Sequence, residues 1–287
     1  MPSMSRRTAL KSAFAAACLA PASIRAEAVE APVARKNRIH QSVSRWCYKK
    51  MSLEDLCVAA AGMGLKGIDL LQPEEYEVPH RYGLVCSMGY AGGGDIGKAL
   101  NRVENHAEIE AGLRKNVPLA AKAGVPNVIT FSGLRQGLSD EEGARNTITG
   151  LRRMRSIVED HGVTLCIELL NSKRDHHDYM CDHTAWGVRV VEEVNSPQIK
   201  LLYDIYHMQI MEGDLVETIR TQGKWIGHYH TGGVPGRHEL DETQEVHWPA
   251  VMRAIADTGF TGYVAHEFVP TRDPMTSLRQ AADLCDV

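Results

Sequence analysis

The feature that most constrains the fold of this chain is a regular alternation of short apolar runs with amphipathic segments that carry helix-capping signals. One such signal is Ser139, which is followed three residues later by Glu142. We predict strands over residues 38–44, 67–71, 83–88, 127–131, 163–168, 199–204, 225–230 and 262–267. Eight apolar strands that alternate with helices are typical of a single (β/α)8 TIM barrel in the α/β class.

The segments between these strands predict most of the helices of such a barrel. We expect helices over residues 52–63, 101–123, 139–161, 184–194, 214–221 and 247–258, and a last helix from about residue 273. Residues 72–82 contain Pro73 and Pro79 and predict at most a short helix. An open doubly wound sheet is the alternative, but no GxGxxG motif follows the first strand, so a dinucleotide site has no support.

Composition excludes some functions before motifs are considered. The chain has 287 residues, 44% of them hydrophobic and 24% charged, which is typical of a soluble globular protein. Its formal net charge of −4 offers no general attraction for nucleic acid or an anionic membrane. We therefore expect a small-molecule partner and neither nucleic acid nor membrane, while a homo-oligomer stays open.

The N-terminal segment has the features of an export signal. Arg6 and Arg7 precede an apolar stretch over residues 13–22, and small residues lie near Ala26. The arginine pair resembles a bacterial twin-arginine signal. We predict a signal peptide over residues 1–26, a linker over 27–37 and a catalytic barrel over 38–287, with export to the periplasm. Six cysteines would remain and none form a CxxC pair, which leaves a disulfide open.

Four strands in the C-terminal half end on side chains that can bind a metal ion: Glu168, Asp204, His230 and Glu267. The steps between them are 36, 26 and 37 residues, close to the roughly 31 residues of one barrel repeat. The four therefore lie at the C-terminal ends of successive strands, where barrel enzymes carry their active sites. Alternation along the fifth strand also predicts that Cys166 points inward and Ile167 outward.

Three carboxylates and one imidazole at a barrel mouth would repel one another without a cation. These ligand types favour a single divalent metal ion, Mn²⁺ or Mg²⁺ in the first place, with Co²⁺ and Zn²⁺ also compatible. Helix caps or surface charges are the alternative interpretation of a single strand-end carboxylate. Four potential ligands at matching strand ends favour a metal site.

The residues around these positions resemble a known family. The motifs are Ile167-Glu168-Leu169-Leu170-Asn171, Tyr203-Asp204-Ile205-Tyr206-His207-Met208, Ile226-Gly227-His228-Tyr229-His230 and His266-Glu267-Phe268. They resemble the hydroxypyruvate isomerase and ketose 3-epimerase group of the xylose isomerase-like TIM barrels. The resemblance covers nearly the whole chain after Ile39 and is strongest over residues 127–268.

The resemblance implies that Glu168, Asp204, His230 and Glu267 hold one divalent ion. It also implies that Glu168 and Glu267 flank the substrate and move protons between adjacent carbons through an enediolate. The positions expected to contact the substrate are His207, Arg237, Glu239, Asn171, His106 and Trp46. The implied activity is that of a metal-dependent isomerase or epimerase acting on a sugar or a small hydroxy-keto acid.

Three alternatives remain open from the sequence. The same site could eliminate a group from a 3-keto-glycoside, or the protein could bind sugars in the periplasm without catalysis. The third alternative is an endonuclease of the same barrel superfamily, but the negative net charge of the chain disfavours binding to DNA. The loop over residues 235–243 is more acidic than the glycine-rich segment of the family, and this leaves the substrate open. Export favours a glycoside-derived substrate over hydroxypyruvate.

Overall fold

Eight parallel strands pair in chain order, and the last pairs with the first, so the sheet closes into a barrel. The computed structural model describes residues 33–287. The strands are β1 (His40–Ser44), β2 (Gly67–Leu71), β3 (Val85–Tyr90), β4 (Asn127–Thr130), β5 (Thr164–Glu168), β6 (Ile199–Asp204), β7 (Ile226–Thr231) and β8 (Tyr263–His266). The predicted (β/α)8 barrel is confirmed. The predicted signal peptide over residues 1–26 and the first part of the predicted linker lie outside the described residues.

The helices surround the barrel. They are α1 (Leu53–Gly62), α2 (His106–Lys122), α3 (Asp140–Glu159), α4 (Thr184–Val194), α5 (Ile205–Met211), α6 (Leu215–Gln222), α7 (Trp248–Asp257) and α8 (Pro274–Leu284). Only short 3-10 turns, each begun by a proline, lie between β2 and β3, as the prolines predict. The prediction omitted α5, which follows β6 directly.

Side chains at the helix starts explain where several helices begin. The hydroxyl of Ser52 accepts a hydrogen bond from the backbone N–H of Asp55, and that of Ser139 accepts one from Glu142. The Asp204 carboxylate accepts the backbone N–H of His207 in the same way. Each contact satisfies a backbone donor that the first turn of a helix leaves free. The cap at Asp204 accounts for the helix that the sequence analysis missed.

Two apolar layers stabilise the barrel. The larger lies between the strands and the helices and includes Ile167. A second, smaller cluster consists of Leu70, Met88, Ile129, Cys166 and Leu202. Cys166 and Ile167 therefore belong to different layers, as the alternation along β5 predicts. The small cluster forms the apolar part of the barrel interior next to Glu168.

Residues 33–37, predicted as linker, pack against the end of the barrel where the strands begin. The Arg35 side chain donates to the Met63 carbonyl (2.9 Å) and to Asp283 in α8 (2.7 Å). This short segment thus connects the end of α1 with α8. The six cysteines of residues 33–287 are free thiols, so the disulfide left open by the sequence is not formed among them. No helix of this range has the length and apolar character needed to cross a membrane.

Candidate functional site

The four predicted ligand side chains converge at the C-terminal ends of β5 to β8. All four are buried, and one ligand atom from each lies within 4.8 Å of every other. Glu168 and Asp204 end β5 and β6, His230 lies in β7, and Glu267 follows β8 directly. The barrel therefore brings together side chains that are up to 99 residues apart in the chain (positions 168 and 267). Metal binding by this cluster stays a prediction.

His230 presents one ring nitrogen to the carboxylates. Its Nδ1 lies 2.6 Å from Glu267 Oε2, 3.4 Å from Glu168 Oε1 and 3.9 Å from Asp204 Oδ2. This nitrogen is buried, and its geometry toward these oxygens makes no hydrogen bond. When the ring is neutral and its proton is on Nε2, Nδ1 directs a lone pair at the space that the carboxylates share.

Asp69 holds the other nitrogen of the same ring. His230 Nε2 lies 2.9 Å from Asp69 Oδ2, and Ser87 donates to Asp69 Oδ1 (2.7 Å). The arrangement matches the carboxylate–histidine pairs that orient metal ligands in proteins. The sequence analysis missed Asp69. An acidic residue at the centre of the fully buried strand β2 is the signal that could have indicated it.

Burial and nearby charges give the two glutamates different pKa values. Burial, together with the nearby Glu267 and Asp204 carboxylates, raises the pKa of Glu168 to about 7. Burial also acts to raise the pKa of Glu267, but the charges of His230 and Arg237 outweigh it and lower this pKa to about 2. Neighbouring acids with different proton affinities are the arrangement that proton-transfer sites use.

Arg237 lies across the mouth of the carboxylate cluster. Its Nη2 contacts Asp204 Oδ2 (2.6 Å) and Glu267 Oε2, and its Nε donates to the Glu267 carbonyl (3.0 Å). The guanidinium carbon lies 4.9 Å from the centre of the Tyr206 ring. The residue has φ of 59°, a left-handed conformation that costs a non-glycine residue roughly 1–3 kcal/mol and persists only where the surroundings impose it.

His207 lies beside this cluster, between the side chains of Asn171 and Arg237. Asn171 Oδ1 accepts the backbone N–H groups of Arg174 and Asp175 (3.0 Å each), so its Nδ2 must face His207 Nδ1 (2.6 Å). The same Nδ2 also donates to the Asp175 carboxylate. Nδ1 therefore faces a donor, and Nε2 lies 2.6 Å from Arg237 Nη1, which is also only a donor. Because a neutral ring has one acceptor nitrogen, only one of these two contacts can be a hydrogen bond. Burial, reinforced by the charge of Arg237, keeps the pKa of His207 well below its usual range.

Trp46 also belongs to the site. Its indole N–H donates to Glu267 Oε1, and the ring lines the cavity above the carboxylates. The indole therefore helps to fix the orientation of Glu267.

Three side chains predicted to contact the substrate do not line this cavity: Asn171, His106 and Glu239. His106 is buried at the start of α2, where its Nε2 bonds the Leu100 carbonyl (2.9 Å), and it does not line the cavity. Glu239 points away from the cavity and accepts hydrogen bonds from Thr271 and Ser277. Asn171 is buried against the His207 ring. The direction of each of these side chains depends on neighbours from other elements of the fold.

A cavity of about 670 Å³ opens onto the carboxylate cluster. Glu168, Glu267, His207 and Arg237 line it, and its size lies within the roughly 300–1,000 Å³ of small-molecule sites. A cavity of about 750 Å³ at the opposite end of the barrel contains none of the four predicted ligands. We therefore place the candidate site in the first cavity.

The residues of the cluster fit a divalent cation. Three buried carboxylates meet one imidazole nitrogen that has no hydrogen bond, and Asp69 fixes the second nitrogen. Burial lowers the pKa of His230, but Glu267 and the contacts with Asp69 and Glu168 outweigh this and hold it well above its usual range. The cluster thus favours positive charge at its centre, and carboxylate and imidazole ligands suit Mn²⁺, Mg²⁺, Co²⁺ or Zn²⁺.

Comparison with known proteins agrees with this geometry. Residues 80–286 match the sequence model of the family described as xylose isomerase-like TIM barrel. The 2-oxo-tetronate isomerase of Cupriavidus necator is 26% identical over 234 residues, which cover 78% of this chain and 89% of that protein. The matches to proteins of Xenopus laevis and Homo sapiens provisionally named hydroxypyruvate isomerase span 64% of those proteins, slightly less than two thirds.

Two solved structures resemble the fold. An AP endonuclease of family 2 from Brucella melitensis has a TM-score of 0.75 at 23% identity, covering 85% of this chain and 99% of that chain. The 3-keto-D-glucoside 4-epimerase of E. coli has a TM-score of 0.72 at 16% identity, covering 86% and 98%. At these identities the similarity concerns the fold alone.

Proposed function

The chain belongs to the xylose isomerase-like TIM barrel family, and on this basis we propose that it is a metal-dependent isomerase or epimerase of a sugar or a small hydroxy-keto acid. The observation that carries the proposal is the cluster of four strand-end ligand atoms within 4.8 Å. Two members of this cluster, Glu168 and Glu267, also line the cavity and can therefore reach a substrate.

In this proposal Glu168, Asp204, His230 and Glu267 hold one divalent ion, Mn²⁺ or Mg²⁺ in the first place. Such an ion, when bound, polarises a substrate carbonyl and makes the adjacent C–H more acidic. Asp69 positions His230, and the indole of Trp46 positions Glu267.

The two glutamates carry the proton transfer. One carboxylate removes the proton from the carbon beside the carbonyl and leaves the enediolate form of the substrate. The other returns a proton, to the neighbouring carbon in isomerisation or to the opposite face of the same carbon in epimerisation. His207 and Arg237 line the cavity side by side, with His207 Nε2 2.6 Å from Arg237 Nη1, and the pair is suited to contact the substrate oxygen on which negative charge develops.

Proton exchange in deuterated water tests this proposal. The protein, reconstituted with Mn²⁺, is incubated with ketoses, hydroxypyruvate and 3-keto-glycosides, and products are followed by NMR and mass spectrometry. Deuterium at the carbon beside the carbonyl together with a rearranged product is the expected result. Release of the aglycone would instead indicate a 3-keto-glycoside lyase. Sugar binding without exchange would favour the non-catalytic binding protein.

Glu168→Gln and Glu267→Gln should each lower the rate of exchange by about 10²- to 10⁴-fold, because an amide cannot accept the proton. Metal content is measured for each variant, since an amide is also a weaker ligand. Glu192→Gln, an exposed position on α4, is the matched control and should exchange at the wild-type rate. Exchange at the wild-type rate in both Glu168→Gln and Glu267→Gln would show that these glutamates are not the acid and base of the reaction.

A further inference from the structure

The cavity above the carboxylate cluster has two chemically different halves. The half built by β5 to β8 carries the carboxylates and imidazoles described above. The other half is an apolar wall formed by five side chains: Trp46, Leu70, Tyr90, Ile129 and Phe131. Leu70 and Ile129 belong to the small apolar cluster inside the barrel, and the three aromatic rings pack against that cluster while staying partly exposed.

The shape of this wall is imposed by the fold. Leu70 has φ of 56°, a left-handed conformation that is unfavourable for a residue with a branched side chain. It interrupts the register between β2 and β3 and leaves the Leu70 side chain against the cavity. A strained backbone that keeps an apolar group beside a catalytic cavity indicates a contact surface for a ligand.

The charges in the cavity disfavour an anionic substrate. Among residues 33–287, Arg237 is the one arginine or lysine that lines this cavity. Each nitrogen of its guanidinium already contacts Asp204, Glu267 or His207. A divalent ion and Arg237 together would balance the charge of Glu168, Asp204 and Glu267. A substrate carboxylate would therefore find no unpaired side-chain cation in the lining, and its desolvation would be poorly compensated.

Two further carboxylates at the rim add to this effect. Asp95 and Asp175 line the cavity, and each has one oxygen already engaged: Asp95 by the N–H groups of Gly97 and Lys98, and Asp175 by Asn171 and Tyr206. Their remaining oxygens are acceptors that suit sugar hydroxyl groups. They would repel a carboxylate or a phosphate.

We propose that the substrate is an uncharged keto-sugar with an apolar substituent, which packs against the wall of Trp46, Leu70, Tyr90, Ile129 and Phe131. This inference rests on the proposed function, because the keto group belongs beside Glu168 and Glu267. A three-carbon hydroxy-keto acid would occupy the carboxylate half and leave the wall empty. A cavity of about 670 Å³ has room for a sugar and its substituent together.

Three glycosides that differ in one feature each test the proposal by binding. They are phenyl β-D-glucopyranoside, methyl β-D-glucopyranoside and phenyl β-D-glucuronide, titrated calorimetrically into the Mn²⁺-loaded protein. The phenyl glucoside should bind at least about tenfold more tightly than the methyl glucoside, because its ring buries apolar surface on the wall. The phenyl glucuronide, which has a carboxylate in place of the C6 hydroxymethyl group, should bind at least about tenfold more weakly than the phenyl glucoside.

Phe131→Ala should reduce the affinity for the phenyl glucoside to near that for the methyl glucoside. Val58→Ala removes an apolar side chain that is 56% exposed on α1, and it is the matched control that should bind as the wild type does. Equal affinities for the phenyl and methyl glucosides, tighter binding of the glucuronide, or no binding of any of the three would overturn the proposal.

The failure of this inference can be distinguished from failure of the proposed function. Proton exchange on hydroxypyruvate, combined with equal affinities for the phenyl and methyl glucosides, would support the proposed isomerase activity. It would reject the proposal that the substrate carries an apolar substituent. Preferential binding of the phenyl glucoside without proton exchange on any ketose or keto-glycoside would reject the proposed isomerase activity. The wall would then belong to a sugar-binding protein.

Discussion

Single residues decide which chemistry the cluster can perform, and Asp69 is the clearest case. It lies 161 residues before His230 in the chain, yet its carboxylate holds His230 Nε2 at 2.9 Å. Because Nε2 is engaged, Nδ1 is the nitrogen that faces Glu168, Asp204 and Glu267. Asp69 thus acts as a positioning residue for the proposed metal ligand.

Replacing Asp69 tests this role. Asp69→Asn keeps the shape but weakens the acceptor for His230 Nε2–H, so we expect the affinity for Mn²⁺ to fall about 10- to 100-fold. Calorimetric titration with Mn²⁺ measures the change, and circular dichroism verifies the fold. Asp257→Asn makes the same chemical change at an exposed position on α7 and should leave the affinity unaltered. An unaltered affinity in a folded Asp69→Asn protein would contradict the positioning role.

At the scale of elements, the loop between β7 and α7 depends on a contact with the loop after β8. Glu239 anchors this loop through hydrogen bonds from Thr271 and Ser277. Arg237, two residues before this anchor, reaches the carboxylate cluster. Sequence reasoning found the loop and its arginine. It assigned Glu239 to the substrate because a one-dimensional pattern does not reveal which loop lies next to which.

The anchor predicts a pH dependence of stability. Burial raises the pKa of Glu239, but hydrogen bonds from the backbone and from Thr271 and Ser277 outweigh it and lower this pKa to about 2, from 4.5. A carboxylate whose pKa is lower in the folded than in the unfolded state stabilises the fold at pH values above its unfolded-state pKa. This stabilisation is lost as the pH falls toward the folded-state pKa. Glu239→Gln should therefore reduce the free energy of unfolding by about 1–3 kcal/mol at neutral pH. The difference from wild type should shrink between about pH 4.5 and pH 2.

Urea unfolding across this pH range measures the effect. Glu242→Gln changes an exposed residue of the same loop and should match the wild type at every pH. A difference between Glu239→Gln and wild type that stays constant from pH 7 to pH 2 would show that the carboxylate is not the stabilising group.

At the scale of the whole molecule, the described residues 33–287 carry the barrel and the candidate site, while the predicted export signal lies outside them. We propose that the protein reaches the periplasm by the twin-arginine route, on the basis of Arg6, Arg7 and the apolar stretch that follows. This route accepts folded proteins, which would suit the acquisition of the proposed metal ion before export.

A paired substitution tests the route. Arg6→Lys with Arg7→Lys should leave the chain uncleaved in the cytoplasm of a bacterial host, because the pair is the feature that the signal requires. Cell fractionation and mass spectrometry of the N-terminus measure this, with Lys11→Arg as the control that should be exported. Periplasmic protein with a processed N-terminus in the double variant would exclude the twin-arginine route.

The sequence by itself determined the barrel and the meeting of Glu168, Asp204, His230 and Glu267. Parallel strands in a closed barrel end at the same face, so a residue type that recurs at strand ends predicts spatial neighbours without any knowledge of packing. The order and approximate bounds of the eight strands followed from apolar periodicity for the same reason. These features depend on local pattern and on one repeating geometry.

Only the tertiary structure decided how the remaining side chains are used. It placed Asp69 behind His230, turned Glu239 toward Thr271, and bonded the buried His106 to the Leu100 carbonyl. It also gathered the apolar wall from β2, β3, β4 and the segments that follow β1 and β4. The physical reason is that the direction of a side chain is set by its hydrogen bonds and packing, and here the partners come from separate elements whose proximity no local pattern encodes.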